Sequence, residues 1–160
     1  MREKYPDDPL YVLVTSGAGI GKKFIVIEIF HSIIRLYNKM FGYDPTQLTG
    51  IITAYTGKVV FNASGITLHP TFHLPFNKSK YIFLEGEKLD TLTKHCEKLH
   101  VMLIDEVSLI GSTFLYQVDK CLQEIMHTQL AYFGNIDVIF SGDLFQAQPI
   151  KYSLIFSNQF

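Results

Sequence analysis

YVLVTSGAGIGKKF, Tyr11 to Phe24, is the stretch from which the rest of the chain is read. Tyr11 to Val14 are β-favouring residues that suit a buried parallel strand. Gly17, Gly19 and Gly21 then allow a tight turn with its backbone N–H groups pointing inward, and Lys22 opens a helical pattern whose N-terminus attracts anions. Phosphate is the expected ligand. Set against G-x-x-x-x-G-K-[ST], the first glycine position holds Ser16 and the final hydroxyl position holds Lys23. The second departure carries more weight, because the Ser/Thr hydroxyl at that place helps to hold Mg²⁺. A strand-to-helix turn that uses glycine only for its backbone freedom is the plainer alternative.

Around this stretch the composition is that of one globular domain. A chain of 160 residues can bury a full core, and 48% hydrophobic with 14% aromatic residues argues against disorder. The formal net charge of −1 gives no bulk attraction to nucleic acid or to an anionic membrane, so any nucleic-acid contact must be local. Cys96 and Cys121 fall in helical patterns and belong to no spaced Cys/His ligand set, which predicts reduced thiols rather than a disulfide. His31, His73, His95, His100 and His127 likewise show no metal-binding spacing. The first ten residues, MREKYPDDPL, carry charges and two prolines where a signal peptide needs an apolar core, and no apolar run reaches membrane-spanning length. The expectation is a soluble protein without a membrane partner.

Taken in order, the chain alternates strand and helix. Lys22 to about Met40 reads as a helix apolar on most sides, ended by Gly42, and Gly50 to Ala54 as a second strand. Thr56 opens a further helical pattern that Gly65 closes, and Thr67 to about Phe83 mixes aromatics with Pro70 and Pro75 as a short helix or turn followed by irregular chain. Leu89 to Leu99 carries one apolar stripe and reads as a helix. Val101 to Ile104 is a buried strand that stops at Asp105-Glu106, Ser108 to about Met126 is a helix, and Ile136 to Phe140 is a strand running into Ser141-Gly142-Asp143. Continuous apolar strands alternating with helices imply an α/β fold whose parallel sheet is covered on both faces.

Open parallel sheets gather ligands at the C-terminal ends of their strands. Three such ends here carry Ser16 to Lys23, Asp105-Glu106, and Gly142-Asp143 to Gln146, and they would converge on one crevice. Asp105 is placed to bind Mg²⁺, Glu106 to orient or deprotonate an attacking water, and Gln146 to sense a γ-phosphate. An Asp-Glu pair after a strand is often only a solvated turn. The weight lies in all three segments occurring in this order.

These residues resemble the first motor domain of superfamily-one, 5′-to-3′ DNA helicases of the Pif type, especially the helicase segment of Helitron-like mobile elements. SGAGIGKK is similar to the family's GGAGTGKS, and TAYTGKVVFNASGITLHPTFHLP to its TAPTGKAAFNIGGTTLHSAFxLP. MLIDEVSLIG is similar to IIDEISMVG, and GDLFQAQPI to GDxxQLPPV. The departures are Ser16 for glycine, Lys23 for serine, Tyr55 for proline, Pro70 for serine, and Ala147-Gln148 for Leu-Pro.

The resemblance implies a P-loop NTPase fold with a RecA-like parallel sheet, ATP and Mg²⁺ as cofactors, and single-stranded DNA as partner. By the same resemblance Gly17, Ala18, Gly19, Ile20, Gly21, Lys22 and Lys23 would surround the phosphates, with Lys22 on the β- and γ-phosphates. Asp105 would take the metal, Glu106 the water, and Gln146 would couple nucleotide state to movement. Thr53, Thr56, Gly57, Lys58 and His69 would lie along the DNA strand. From the residues alone, Thr56 to Lys58 also reads as a helix start with an exposed lysine, and His69 as an ordinary partly buried histidine. The family's adenine-recognising glutamine motif lies upstream of the loop and its arginine-bearing second motor domain downstream. Residues 1–160 are therefore expected to be one truncated domain without its partner domain, and a poor ATPase alone. The resemblance further implies work in the nucleus on DNA repair, recombination or telomere maintenance. A catalytically inactive nucleotide- or DNA-binding remnant is the alternative, and a small-molecule kinase is disfavoured because TAYTGK and GDLFQ would then have no function.

Overall fold

The computed structural model describes residues 8–17, 19, 21–42, 44, 46–54, 66–68, 72, 74 and 83–143. Strand β1 (Tyr11–Thr15) leads through the glycine turn into helix α1 (Lys22–Phe41), then β2 (Gly50–Ala54) and the two-residue β3 (Ile66–Thr67). Helix α2 (Glu87–Cys96), β4 (Val101–Asp105), a 3₁₀ turn (Val107–Leu109), α3 (Ser112–Ile125), a second 3₁₀ turn (Tyr132–Asn135) and β5 (Asp137–Gly142) follow. The five strands form one sheet in the order β1-β5-β4-β2-β3, every pair parallel.

The unbroken apolar run of β4 is explained by what lies on its two sides. Successive strand side chains point to opposite faces. Val101 and Leu103 pack with Ile139 against Val26 and Phe30 of α1, whereas Met102 and Ile104 pack with Ile51 and Val138 against Leu92 and Cys96 of α2 and Val118 and Leu122 of α3. Both faces are thus covered, and each fully buried aliphatic side chain contributes about 1.5–3 kcal/mol relative to exposure.

Tyr11 to Val14 does not form the buried strand expected from its composition. β1 pairs with β5 alone and stands at the end of the described sheet, leaving Tyr11 41% and Leu13 39% exposed. The helix expected from Ser108 starts instead at Ser112, because Glu106 takes a left-handed conformation and Val107–Leu109 form a 3₁₀ turn that buries Val107 and Ile110. β3 carries no periodic signal, being two residues long, yet it pairs with Thr53 and Ala54 of β2. The helix expected from Thr56 to Gly65 lies outside the described residues. Of the aromatic and proline-rich stretch after Thr67, the described Leu68, Phe72 and Leu74 are core residues.

Cys96 and Cys121 are buried and not joined in a disulfide, and burial pushes the Cys96 thiol up to about 11. At pH 8 only about one Cys96 in a thousand is then thiolate, the reactive form. The native protein should show no prompt reaction with a disulfide reagent at pH 8 and two reacting thiols once denatured. Rapid reaction of one equivalent in the native state would contradict this packing. Among the described residues, no helix is long and apolar enough to cross a membrane.

Candidate functional site

Because β1, β5 and β4 are adjacent and parallel, the segments that leave their C-terminal ends share one edge of the sheet. Thr15 of β1 is level with Gly142 of β5, and Ile104 of β4 with Phe140. The glycine turn, Asp105-Glu106 and Asp143 are therefore brought together, as the order of the segments predicts.

In the turn, Gly19 and Gly21 both have φ of 79°, a left-handed conformation that side chains rarely adopt. Gly21 stands at the N-cap of α1 and, having no side chain, supplies no cap to the first turn. Lys22 Nζ donates to the Ser16 carbonyl at 3.0 Å, which draws the ammonium back across the turn. Ser16 Oγ is buried without a hydrogen-bond partner.

One helical position later, Lys23 lines a narrow crevice between α1 and the sheet, with Val26, Ile27, Ile52, Leu103, Asp105 and Ser141. Ser141 Oγ is buried there and has no hydrogen-bond partner. Asp105 Oδ1 accepts the Glu106 N–H at 3.0 Å. Glu106 itself sits at φ 53°, ψ 43°, and such a conformation costs a non-glycine residue of order 1 kcal/mol and concentrates at functional sites. Close approach fixes the remaining strand end. A Cβ on Gly142 would lie 3.0 Å from Val107 Cγ1 and 3.2 Å from the Val107 nitrogen, so the absence of a side chain lets β5 press against the turn that carries Glu106.

The other expected residues divide into two groups. Thr53, expected along a DNA strand, is fully buried and donates its hydroxyl to the Leu103 carbonyl at 3.0 Å, so it faces into the sheet. Ala18, Ile20, Thr56, Gly57, Lys58, His69 and Gln146 lie outside the described residues. Sequence reasoning missed Ser141: it saw the Ser-Gly-Asp strand ending but had no signal that the hydroxyl opens on the same crevice as Asp105.

Comparison with known proteins agrees with this arrangement. The family model for PIF1-like helicases matches residues 5–153. ATP-dependent DNA helicase PIF1 of Saccharomyces cerevisiae is 28% identical over 143 residues, covering 88% of this chain and 16% of the relative. Among solved structures, unliganded Pif1 from Bacteroides sp superposes with a TM-score of 0.67 at 25% identity, covering 94% of this chain and 32% of that one. Pif1 helicase from Bacteroides in complex with ADP-AlF3 and ssDNA gives a TM-score of 0.58 at 25% identity, over 91% of this chain and 30% of that one. The chain spans a third or less of the length of these relatives. Its fold is the RecA-like P-loop fold that the structures share. A family match across nearly the whole length, on that fold, means that the chain belongs to the PIF1-like helicase family.

Proposed function

We propose that this chain is the ATP-binding part of a 5′-to-3′ ATP-dependent DNA helicase, a motor that couples ATP hydrolysis to DNA unwinding. The observation that carries the reading is the meeting of the glycine turn, Asp105-Glu106 and Asp143 on three adjacent parallel strand ends, in a chain of this family. Gly17 to Gly21 wrap the phosphates, and Lys22 exchanges the Ser16 carbonyl for β- and γ-phosphate oxygens. Glu106 orients the attacking water, and its backbone N–H, donated to Asp105 Oδ1, holds the Asp105 carboxylate beside it. Gln146 couples nucleotide state to movement.

The family's chemistry implies Mg²⁺, which would supply positive charge to the phosphates. The motif's carboxylate is present in Asp105, but its hydroxyl is replaced by Lys23, and an ammonium has no lone pair for a cation. The residues present do not fit a Mg²⁺ held in the family's manner. Turnover in this reading depends on a second motor domain, whose arginine supplies on the order of 10³–10⁵ in rate.

Thr56, Gly57, Lys58 and His69 contact single-stranded DNA, and Thr53 anchors the strand end from which they extend. DNA repair and recombination in the nucleus, telomere maintenance and a Helitron origin are the settings that the motif resemblance favours. Fluorescence anisotropy with a labelled single-stranded oligonucleotide tests the DNA part. Weak binding that falls with added salt, with duplex no better, is the expected result. No binding at low salt would remove the DNA role from this chain.

A further inference from the structure

We propose that the Lys23 ammonium takes the place of the divalent cation in this site, so that the chain holds a nucleoside di- or triphosphate without Mg²⁺. The proposal rests on the nucleotide reading of the loop and deepens it.

Three observations meet at Lys23. Its position on the first turn of α1 is the one where the phosphate-loop motif supplies a hydroxyl to the metal. Its side chain lines the crevice that Asp105 also lines, so a cation and the metal-binding carboxylate of the motif share one small space. Ser141, 1% exposed, is among the residues lining the same crevice, and its Oγ, which has no hydrogen-bond partner, has lone pairs to offer an ammonium proton.

The crevice also suits the rest of the side chain. Val26, Ile27, Ile52 and Leu103 give apolar walls for the four-carbon stem, while Asp105 and Ser141 supply the polar end. Mg²⁺ asks for a nearly octahedral set of oxygens and holds its waters tightly. An ammonium brings no oxygen to that set and repels the ion. What it does bring is charge: together with Lys22, Lys23 places two cations at the uncapped N-terminus of α1, where they neutralise a di- or triphosphate directly. Asp105 then acts as the counter-ion of Lys23 rather than as a metal ligand.

Equilibrium binding separates this from ordinary metal-assisted binding. The whole chain is titrated calorimetrically with ADP and with ATP, once in EDTA and once in excess MgCl₂. The dissociation constants should agree within about threefold, because the ion has no protein hydroxyl to join. Lys23→Ser, which restores the motif, should bind about tenfold or more tightly with Mg²⁺ than without it. Lys23→Met keeps the stem against its apolar walls but loses the charge, and should lose about tenfold in EDTA. Circular dichroism verifies that both variants are folded. Wild-type binding that requires Mg²⁺, or a methionine variant that binds as wild type in EDTA, overturns the proposal and leaves the nucleotide reading intact. Absence of binding in both conditions overturns the two together.

Discussion

Lys22→Ala should abolish measurable nucleotide binding while leaving the fold in place. Lys22 stands half-buried at the start of α1, with its Nζ 3.0 Å from the Ser16 carbonyl, so its ammonium already lies against the turn proposed to hold the phosphates. A phosphate oxygen is a stronger partner than that carbonyl, since the bond is then charged at both ends. Hydrogen bonds to charged groups contribute about 1.5–3 kcal/mol each, and losing two of them lowers affinity by more than about a hundredfold. Alanine is the better helix former, so the lost bond to Ser16 is partly offset within α1. Calorimetry with ATP should give no heat of binding for the variant and an unchanged thermal unfolding midpoint to within a few degrees. Equal binding by both proteins would take the glycine turn out of the functional argument altogether.

What could be read in the sequence was whatever local chemistry dictates. The run Val101 to Ile104 could only be a strand buried on both faces, and the structure splits its side chains between two cores. Gly19 and Gly21 announced a turn that needs positive φ, and both have it. The three strand ends could be assigned to one edge because parallel topology leaves no other arrangement. What stayed hidden depends on partners distant in the chain. β1 has the composition of a buried strand, but its exposure is decided by which neighbours lie beside it, and among the described residues that is β5. Glu106 shows no glycine-like signature, and its left-handed conformation follows from burying Val107 and Ile110 immediately after the strand. The motif resemblance places Thr53 along a DNA strand, yet its hydroxyl is donated to the Leu103 carbonyl of the neighbouring strand. Lys23 is the instructive case. Its departure from the motif was plain, but the Asp105 and Ser141 side chains that share its crevice come from β4 and β5, more than eighty residues further along.

At the opposite end of the sheet, Asp137→Ala should destabilise the fold by about 3–5 kcal/mol, a large share of the 5–15 kcal/mol that holds an ordinary domain together. Asp137 opens β5 and is 1% exposed. Its Oδ1 accepts the Leu10 N–H at 2.7 Å and its Oδ2 accepts the Tyr37 hydroxyl at 2.9 Å. Its own N–H donates to the His100 carbonyl at 2.9 Å, and the Tyr37 ring stacks on His100 at 4.5 Å. One carboxylate thus ties the lead into β1, the last turns of α1 and the lead into β4 to the start of β5. Alanine would strip the carboxylate from two donors at once, and an unsatisfied buried donor costs about 1–3 kcal/mol. Asp137→Asn keeps the volume but can serve only one of the two donors with its carbonyl oxygen, so it should fall between wild type and alanine. Tyr37→Phe removes one donor, and in the Asp137→Ala background it should cost clearly less than in the wild type, because the partner has already gone. Urea unfolding of the five proteins, the double variant included, measures all of this. A midpoint for Asp137→Ala equal to that of the wild type would mean that the carboxylate is solvated rather than shared, and that the strand ladder holds β1, and packing α1, to β5 without it.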